Sequence, residues 1–208
     1  MSDPHFKRTK AWNWFMFTIP SNCDGILTAK IGNDGFQLYA TTVEILVSPI
    51  PDSLPLENAV VLPVSISTAA TALFVTLQAP FPSLNPIPTG KKVLIWGGSS
   101  SVGCSAIQLA VAAGFDVIAT ASQDNHDLVR GLGAAHVFDY RDPDVLNHIL
   151  PLVRPGDLVL DCISIESTQT ICAEILKRIG GGILPVVLPP IEKSPEGVVP
   201  IFGKSDCN

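Results

Sequence analysis

A doubly wound α/β fold, a parallel sheet with helices on both faces, is what this sequence predicts. Three observations carry that expectation. From Lys91 onward short apolar runs alternate with helical segments, joined by brief connections. The runs are apolar throughout rather than alternating, as strands covered on both faces require. The segment 91–114, KKVLIWGGSSSVGCSAIQLAVAAG, adds a small-residue turn between an apolar run and an alanine-rich stretch closed by glycine. A turn that small brings the N–H groups of a helix N-terminus close to an anion, and the helix dipole favours a phosphate there.

In chain order, residues 1–34 are basic, then aromatic, and Trp12, Trp14, Phe15 and Phe17 follow no clean period. Residues 35–47 read as extended, with Thr41, Thr42 and Val43 favouring strand. Residues 48–55 are a proline-rich connection. Residues 56–78 hold helical stretches broken at Pro63. Residues 79–90, with Pro80, Pro82, Pro86 and Pro88, form a stiff lead into the central strand. The alternation then runs strand 93–96, helix 102–113, strand 117–121, helix 125–132 and strand 137–140. It continues as helix 144–153, strand 158–163, helix 167–179 and strand 183–188. The rest, to Asn208, reads as a polar tail.

Composition bounds the function. The 208 residues are 47% hydrophobic and 15% charged, enough for a large core and far from a disordered chain. The net charge of -6 argues against nucleic acid and anionic membranes as partners. Cysteines stand at 23, 104, 162, 172 and 207, an odd count without CxxC spacing, so neither a zinc site nor a disulfide framework is expected. The four histidines are scattered, and no metal is expected. A reduced, cytoplasmic setting follows. The N-terminus lacks a cleavage site, and no run approaches the roughly 18–20 apolar residues of a bilayer span.

Ligands of doubly wound sheets lie beyond the carboxyl ends of the strands. The dinucleotide fingerprint there is Gly-x-Gly-x-x-Gly, and its three positions hold Gly98, Ser100 and Gly103. The middle glycine is a serine, so the match rests on its strand–turn–helix context. An ordinary turn without ligand is the alternative. A phosphate-binding P-loop fits less well, because Cys104 stands where its lysine belongs. At the end of the second strand, where NAD sites place a carboxylate, stands Ser122. A serine can donate to a 2′-phosphate, Asn125 and Tyr140 add donors, and His126 or Arg141 adds charge, so NADP is favoured. Asp124 opposes this unless it points away. Helix capping is the other reading of Ser122 and Asn125.

The runs LENAVVLPVSISTAATALF, VLIWGGSSSVGCSAIQLAVAAGFDVIATAS, LGAAHVFDYRDPDV and LVLDCIS resemble the medium-chain dehydrogenase/reductase superfamily. Within it they are most similar to the zinc-free fungal trans-acting enoyl reductases and related zinc-binding-oxidoreductase-like proteins. The similarity covers residues 35–190. It implies a Rossmann-type NAD(P)-binding domain and NADPH-dependent reduction of an activated carbon–carbon double bond. The implied substrate is a small-molecule or carrier-bound enoyl compound, with a polyketide synthase as partner. By the resemblance, Ser99, Ser100, Ser101 and Val102 hold the pyrophosphate. Ser122, Gln123, Asp124 and Asn125 surround the adenosine 2′-phosphate, although the family often has Ser-Pro-His-Asn there. Tyr140 flanks the adenine ribose, and Val187 and Leu188 lie by the nicotinamide. Val64, Ser65, Ile66, Ser67, Thr68, Ala69, Ala70 and Thr71 match a stretch lining the substrate side.

The family also has a GroES-like β-barrel before the equivalent of residue 35 and more chain after Leu188. The expectation is therefore a truncated member: residues 1–50 a GroES-like remnant with an irregular N-terminus, and residues 51–208 the cofactor domain, C-terminally incomplete. No catalytic residue can be named. Asp161 and Cys162 at a strand end read as structural groups first. A short-chain dehydrogenase is set aside, since neither Tyr39 nor Tyr140 has a lysine four positions on. A quinone oxidoreductase, a non-catalytic nucleotide-binding remnant or partner protein, and an incomplete gene model stay open.

Overall fold

The computed structural model of this chain describes residues 6–10, 14–16, 39–43 and 47–203. Near the start, β1 (Phe6–Lys10) pairs antiparallel with β3 (Tyr39–Val43), and β2 (Trp14–Met16) with β4 (Val47–Pro49). The extended stretch expected over 35–47 is thus strand at 39–43 and again from Val47, while residues 35–38 and 44–46 lie outside the described residues. Of the aromatic cluster, Trp14 and Phe15 fall in β2; Trp12 and Phe17 lie outside.

Next come α1 (Leu56–Ala59) and α2 (Pro63–Ala70). Pro63 breaks the stretch as expected, by opening α2 from its first turn, where a missing N–H costs nothing. The helix widens into a π-turn at Thr71–Thr76 and stops where Gln78 takes φ +52°. The stretch Glu57–Thr76 is long and apolar enough to cross a membrane by length and composition, which corrects the expectation that no run approaches that size. Ser65, Ala69, Ala72 and Leu73 are buried, with Ala69, Ala72 and Leu73 in the core beside α3, whereas Val60, Val61, Val64 and Val75 of the same stretch are exposed.

The doubly wound unit follows: β5 (Lys92–Trp96), α3 (Ser101–Ala112), β6 (Asp116–Ala121), α4 (His126–Gly131), β7 (His136–Asp139) and α5 (Val145–Ile149). It is completed by β8 (Leu158–Asp161), α6 (Glu166–Arg178), β9 (Gly182–Val186) and β10 (Val198–Phe202). The six strands are parallel, in the order β10-β9-β8-β5-β6-β7. The first strand of the unit is central, the next two lie to one side and the last three to the other, as in the dinucleotide-binding fold. The sixth strand corrects the expected polar tail: Val198-Val199-Pro200-Ile201-Phe202 pairs with β9. Its proline is tolerated because β10 is an edge.

Alternation along β5 divides the core. Val93 and Ile95 face α2 and α3 together with Ala106, Ile107, Ala110 and Val117. Leu94 and Trp96 face the other way, with Ile118, Val145, Ile149 and the α6 residues Cys172, Ile175 and Leu176. Both sheet faces are therefore dry, which is why the strands read as unbroken apolar runs. Boundaries move by one to four residues, and the strand expected over 183–188 ends at Val186. The helix expected over 144–153 ends its α part at Ile149 and finishes as a 3-10 turn, Leu150–Leu152, around Pro151. The strand expected over 158–163 stops at Asp161, whose side chain organises the next turn.

Candidate functional site

The turn from β5 into α3 is set by small residues under contact. Gly97 takes φ +80°, and a side chain there would meet Ile163. A Cβ on Gly103 would run into the carbonyl oxygen of Gly97, so α3 can pack this close to the strand only through glycine. Ser100, at the fingerprint's middle position, sits in ordinary extended backbone (φ -70°, ψ 159°), and no left-handed conformation demands glycine there. Its hydroxyl caps α3 instead: Oγ accepts from the N–H of Gly103 at 3.0 Å and donates to the oxygen of Gly97 at 2.8 Å.

Thr120, which sequence reasoning did not single out, fastens the same turn from β6. Its Oγ1 accepts the N–H of Gly97 at 3.0 Å, and its main-chain oxygen accepts the N–H of Gly98 at 2.7 Å. The sequence offered only a threonine within the apolar run VIATA, and its full burial emerges in the fold. The turn therefore fits a pyrophosphate. The N–H groups of Ser101 and Val102, first in the 12-residue α3, have no acceptor within the helix. Ser101 is exposed, and Ser99 and Val102 are half-buried. Cys104 lies one turn in, with its sulfur 3.5 Å from the oxygen of Gly98, and burial pushes its thiol pKa up.

The other expected cofactor residues lie at the same, carboxyl edge of the sheet. Ser122, Gln123, Asp124 and Asn125 follow β6, the last three in a 3-10 turn. Asn125 Nδ2 donates to Ser122 Oγ at 2.9 Å, and neither side chain caps the following helix. Ser122 keeps its proton to donate. Gln123 and Asp124 are exposed. His126 Nε2 stands 3.2 Å from the oxygen of Ala121. Tyr140 follows β7, half-exposed, with the Arg141 guanidinium 5.3 Å from its ring centre. Val187 and Leu188 follow β9, and Leu188 is exposed. Across the sheet the residues run from Tyr140 past 122–125 and 99–102 to 187–188, in strand order β7, β6, β5, β9, spanning the crevice where the winding reverses between β5 and β8.

The stretch matched to the substrate side divides. Ser65 and Ala69 are buried toward α3, and Ser65 Oγ donates to the oxygens of Val61 and Leu62 and accepts from Ser105 Oγ at 3.1 Å. Val64 is exposed, while Ile66, Ser67, Thr68, Ala70 and Thr71 are half-buried.

The turn after β8 carries polar groups that sequence reasoning left as structural. Asp161 is fully buried. Its Oδ1 accepts the N–H groups of Ile163 and Ser164, each at 2.9 Å, and Oδ2 accepts from Thr168 Oγ1 at 2.7 Å. Burial raises its pKa, and the bonds from Thr168, Ser164 and Ile163 oppose that rise. Cys162 and Cys172 are buried, and their thiols are pushed up by burial and by the Asp161 charge. Among the described residues no group of three His, Cys, Asp or Glu side chains could hold a metal.

The zinc-binding dehydrogenase family matches residues 101–196. A trans-enoyl reductase of Aspergillus japonicus, himH, is 60% identical over 181 residues, covering 87% of this chain and 53% of that protein. A trans-enoyl reductase of Gibberella fujikuroi is 39% identical, covering 76% of this chain and 47% of its own length. The chain thus spans about half the length of these relatives. Among solved structures, CurK enoyl reductase superposes with a TM-score of 0.67 at 24% identity, over 82% of this chain and 51% of that one. The quinone oxidoreductase of Coxiella burnetii superposes with a TM-score of 0.57 at 29% identity, over 71% and 42%.

Proposed function

The chain belongs to the medium-chain dehydrogenase/reductase superfamily through its zinc-binding dehydrogenase domain, and from that premise we propose that it is the cofactor-binding part of an NADPH-dependent enoyl reductase. The observation that carries this reading is the 60% identity to a trans-enoyl reductase across 87% of the chain. The substrate class is then an enoyl thioester, free or carrier-bound, and the partner a polyketide synthase, in the cytoplasm. Residues 51–208 form the cofactor domain in this reading, and residues 1–50 belong to a GroES-like unit.

Bound at the strand ends, the dinucleotide supplies the hydride. The protein's share is to bind and orient it. Ser99, Ser101 and Val102 hold the pyrophosphate mainly through main-chain N–H groups, while Ser100, whose N–H and hydroxyl are both engaged within the turn, shapes the cradle around it. Ser122 and Asn125 read the 2′-phosphate as a hydrogen-bonded pair, with Gln123 beside them. Asp124, exposed, turns to solvent. Tyr140, stacked under Arg141, flanks the adenosine. Val187 and Leu188 back the nicotinamide. Along α2 and the start of the π-turn, exposed Val64 and half-buried Ile66, Ser67, Thr68, Ala70 and Thr71 face substrate, whereas Ser65 and Ala69 hold α2 on α3.

The test is NADPH oxidation by the purified chain, offered a crotonyl thioester, a benzoquinone or neither, with NADH as control. Oxidation with the thioester and NADPH supports the reading. Turnover with the quinone alone favours a quinone oxidoreductase, the class of a 29%-identical structural neighbour. NADPH binding without turnover on either acceptor assigns the chain a nucleotide-binding role only.

A further inference from the structure

Beyond β9 the chain runs Val187-Leu188-Pro189-Pro190-Ile191, and two prolines deny it the N–H groups for a regular ladder. Side chains from elsewhere hold it. Ser164 Oγ accepts the N–H of Val187 at 2.8 Å and donates to the oxygen of Asp161 at 2.8 Å. Gln169, on the first turn of α6 and 1% exposed, uses its whole amide. Nε2 donates to the oxygens of Ser164 at 2.8 Å and Pro189 at 3.0 Å, and Oε1 accepts the N–H of Ile191 at 3.0 Å. The segment is therefore fastened at 187, 189 and 191, while Leu188 between them projects outward.

The fastening group is itself strained and braced. Ser164 takes φ +59°, a left-handed conformation unusual for a residue with a side chain. Asp161 holds it there through the N–H groups of Ile163 and Ser164. Ile163, in the same turn, fills the space at Gly97 where a side chain would have gone. One turn thus touches both the glycine turn and the segment after β9.

We infer that Ser164 and Gln169 are positioning residues for the nicotinamide end of the cofactor, acting through the main chain of 187–191. The inference rests on the cofactor reading above. Neither residue needs to touch the dinucleotide. They fix where Val187 and Leu188 stand relative to the pyrophosphate turn, so losing them loosens the nicotinamide half and leaves the adenosine half intact.

The experiment titrates the whole chain with two probes, NADPH and adenosine 2′,5′-bisphosphate, in the wild type and in Gln169→Leu and Ser164→Gly. The second variant keeps the left-handed backbone that glycine accepts freely, so it remains informative should Gln169→Leu fail to fold. NADPH emission adds a readout confined to the nicotinamide ring. The expected result is a roughly tenfold loss of NADPH affinity, the scale of one or two buried hydrogen bonds. The nicotinamide emission change should shrink with it, and bisphosphate affinity should hold within about twofold of wild type. Unchanged NADPH affinity and emission in the variants overturns the inference and leaves the cofactor reading standing. Equal loss of both probes also overturns it, as general damage. A wild type that binds neither probe removes the cofactor reading, and the inference falls with it.

Discussion

A methyl group on Gly103 would meet the carbonyl oxygen of Gly97, because α3 begins directly against the strand it follows. Main chain cannot swing aside as a side-chain tip can. Gly103→Ala is therefore expected to lower stability by about 1–3 kcal/mol through overpacking and to displace the N–H groups of Ser101 and Val102; denaturant melts and NADPH titration read the two effects. Ser100→Ala deletes the cap of the same helix and should cost about 1 kcal/mol, measurable in the same melts. At Asp161 the direction depends on pH. Burial raises its pKa, so the folded state holds a proton that the unfolded chain has released. Its favourable contribution is fully present below the ordinary carboxylate value and is lost as pH rises through the raised one. Asp161→Asn keeps an acceptor for Ile163 and Ser164, and its amide can donate to Thr168, which still donates to the oxygen of Ile165. The variant should flatten this limb of the stability profile, seen as a smaller fall in melting temperature from acidic to neutral pH. A profile as steep as wild type assigns the slope to other groups.

Elements were legible in the sequence to the extent that their burial was symmetrical. β5, β6 and β8 are dry on both faces, so their apolar runs announced them, and the alanine-rich α3 packs closely enough to need small residues along its length. β10 was not legible, since a short edge strand containing Pro200 looks like loop until β9 is beside it. The site divides in the same way. Local features, the glycine turn and the groups after β6 and β7, could be read from spacing. Thr120, Ser164 and Gln169 could not, because each acts on a segment about 20 residues distant that only the folded sheet brings near. At this scale the central strand gives the clearest test. Leu94→Ala would open a cavity between β5 and α6, at a cost of about 2–5 kcal/mol, with little collapse available among β-sheet neighbours; chemical denaturation checks it.

Taken whole, the molecule leaves apolar surface outside its two cores. Val60, Val61, Val64 and Val75 on the α1–α2 stretch, together with Phe81, Leu84 and Ile87, are all more than half exposed. A cofactor site at the strand ends does not depend on that surface, because its parts hang on β5, β6, β7 and β9 and on bonds among them. Cofactor binding should therefore survive in this chain as it stands. NADPH at about 100 times its dissociation constant adds about 2.7 kcal/mol to the folded state. For a chain of this size that raises the melting temperature by roughly 5–10 °C. On the proposed reading, in which the hydrogen-bonded Ser122–Asn125 pair holds a 2′-phosphate, NADH at the same concentration should do less. Equal shifts with both would assign the affinity to the pyrophosphate turn and strip residues 122–125 of their selective role. A cooperative melt unmoved by either would mean that the strand ends, correctly folded, do not by themselves make the site.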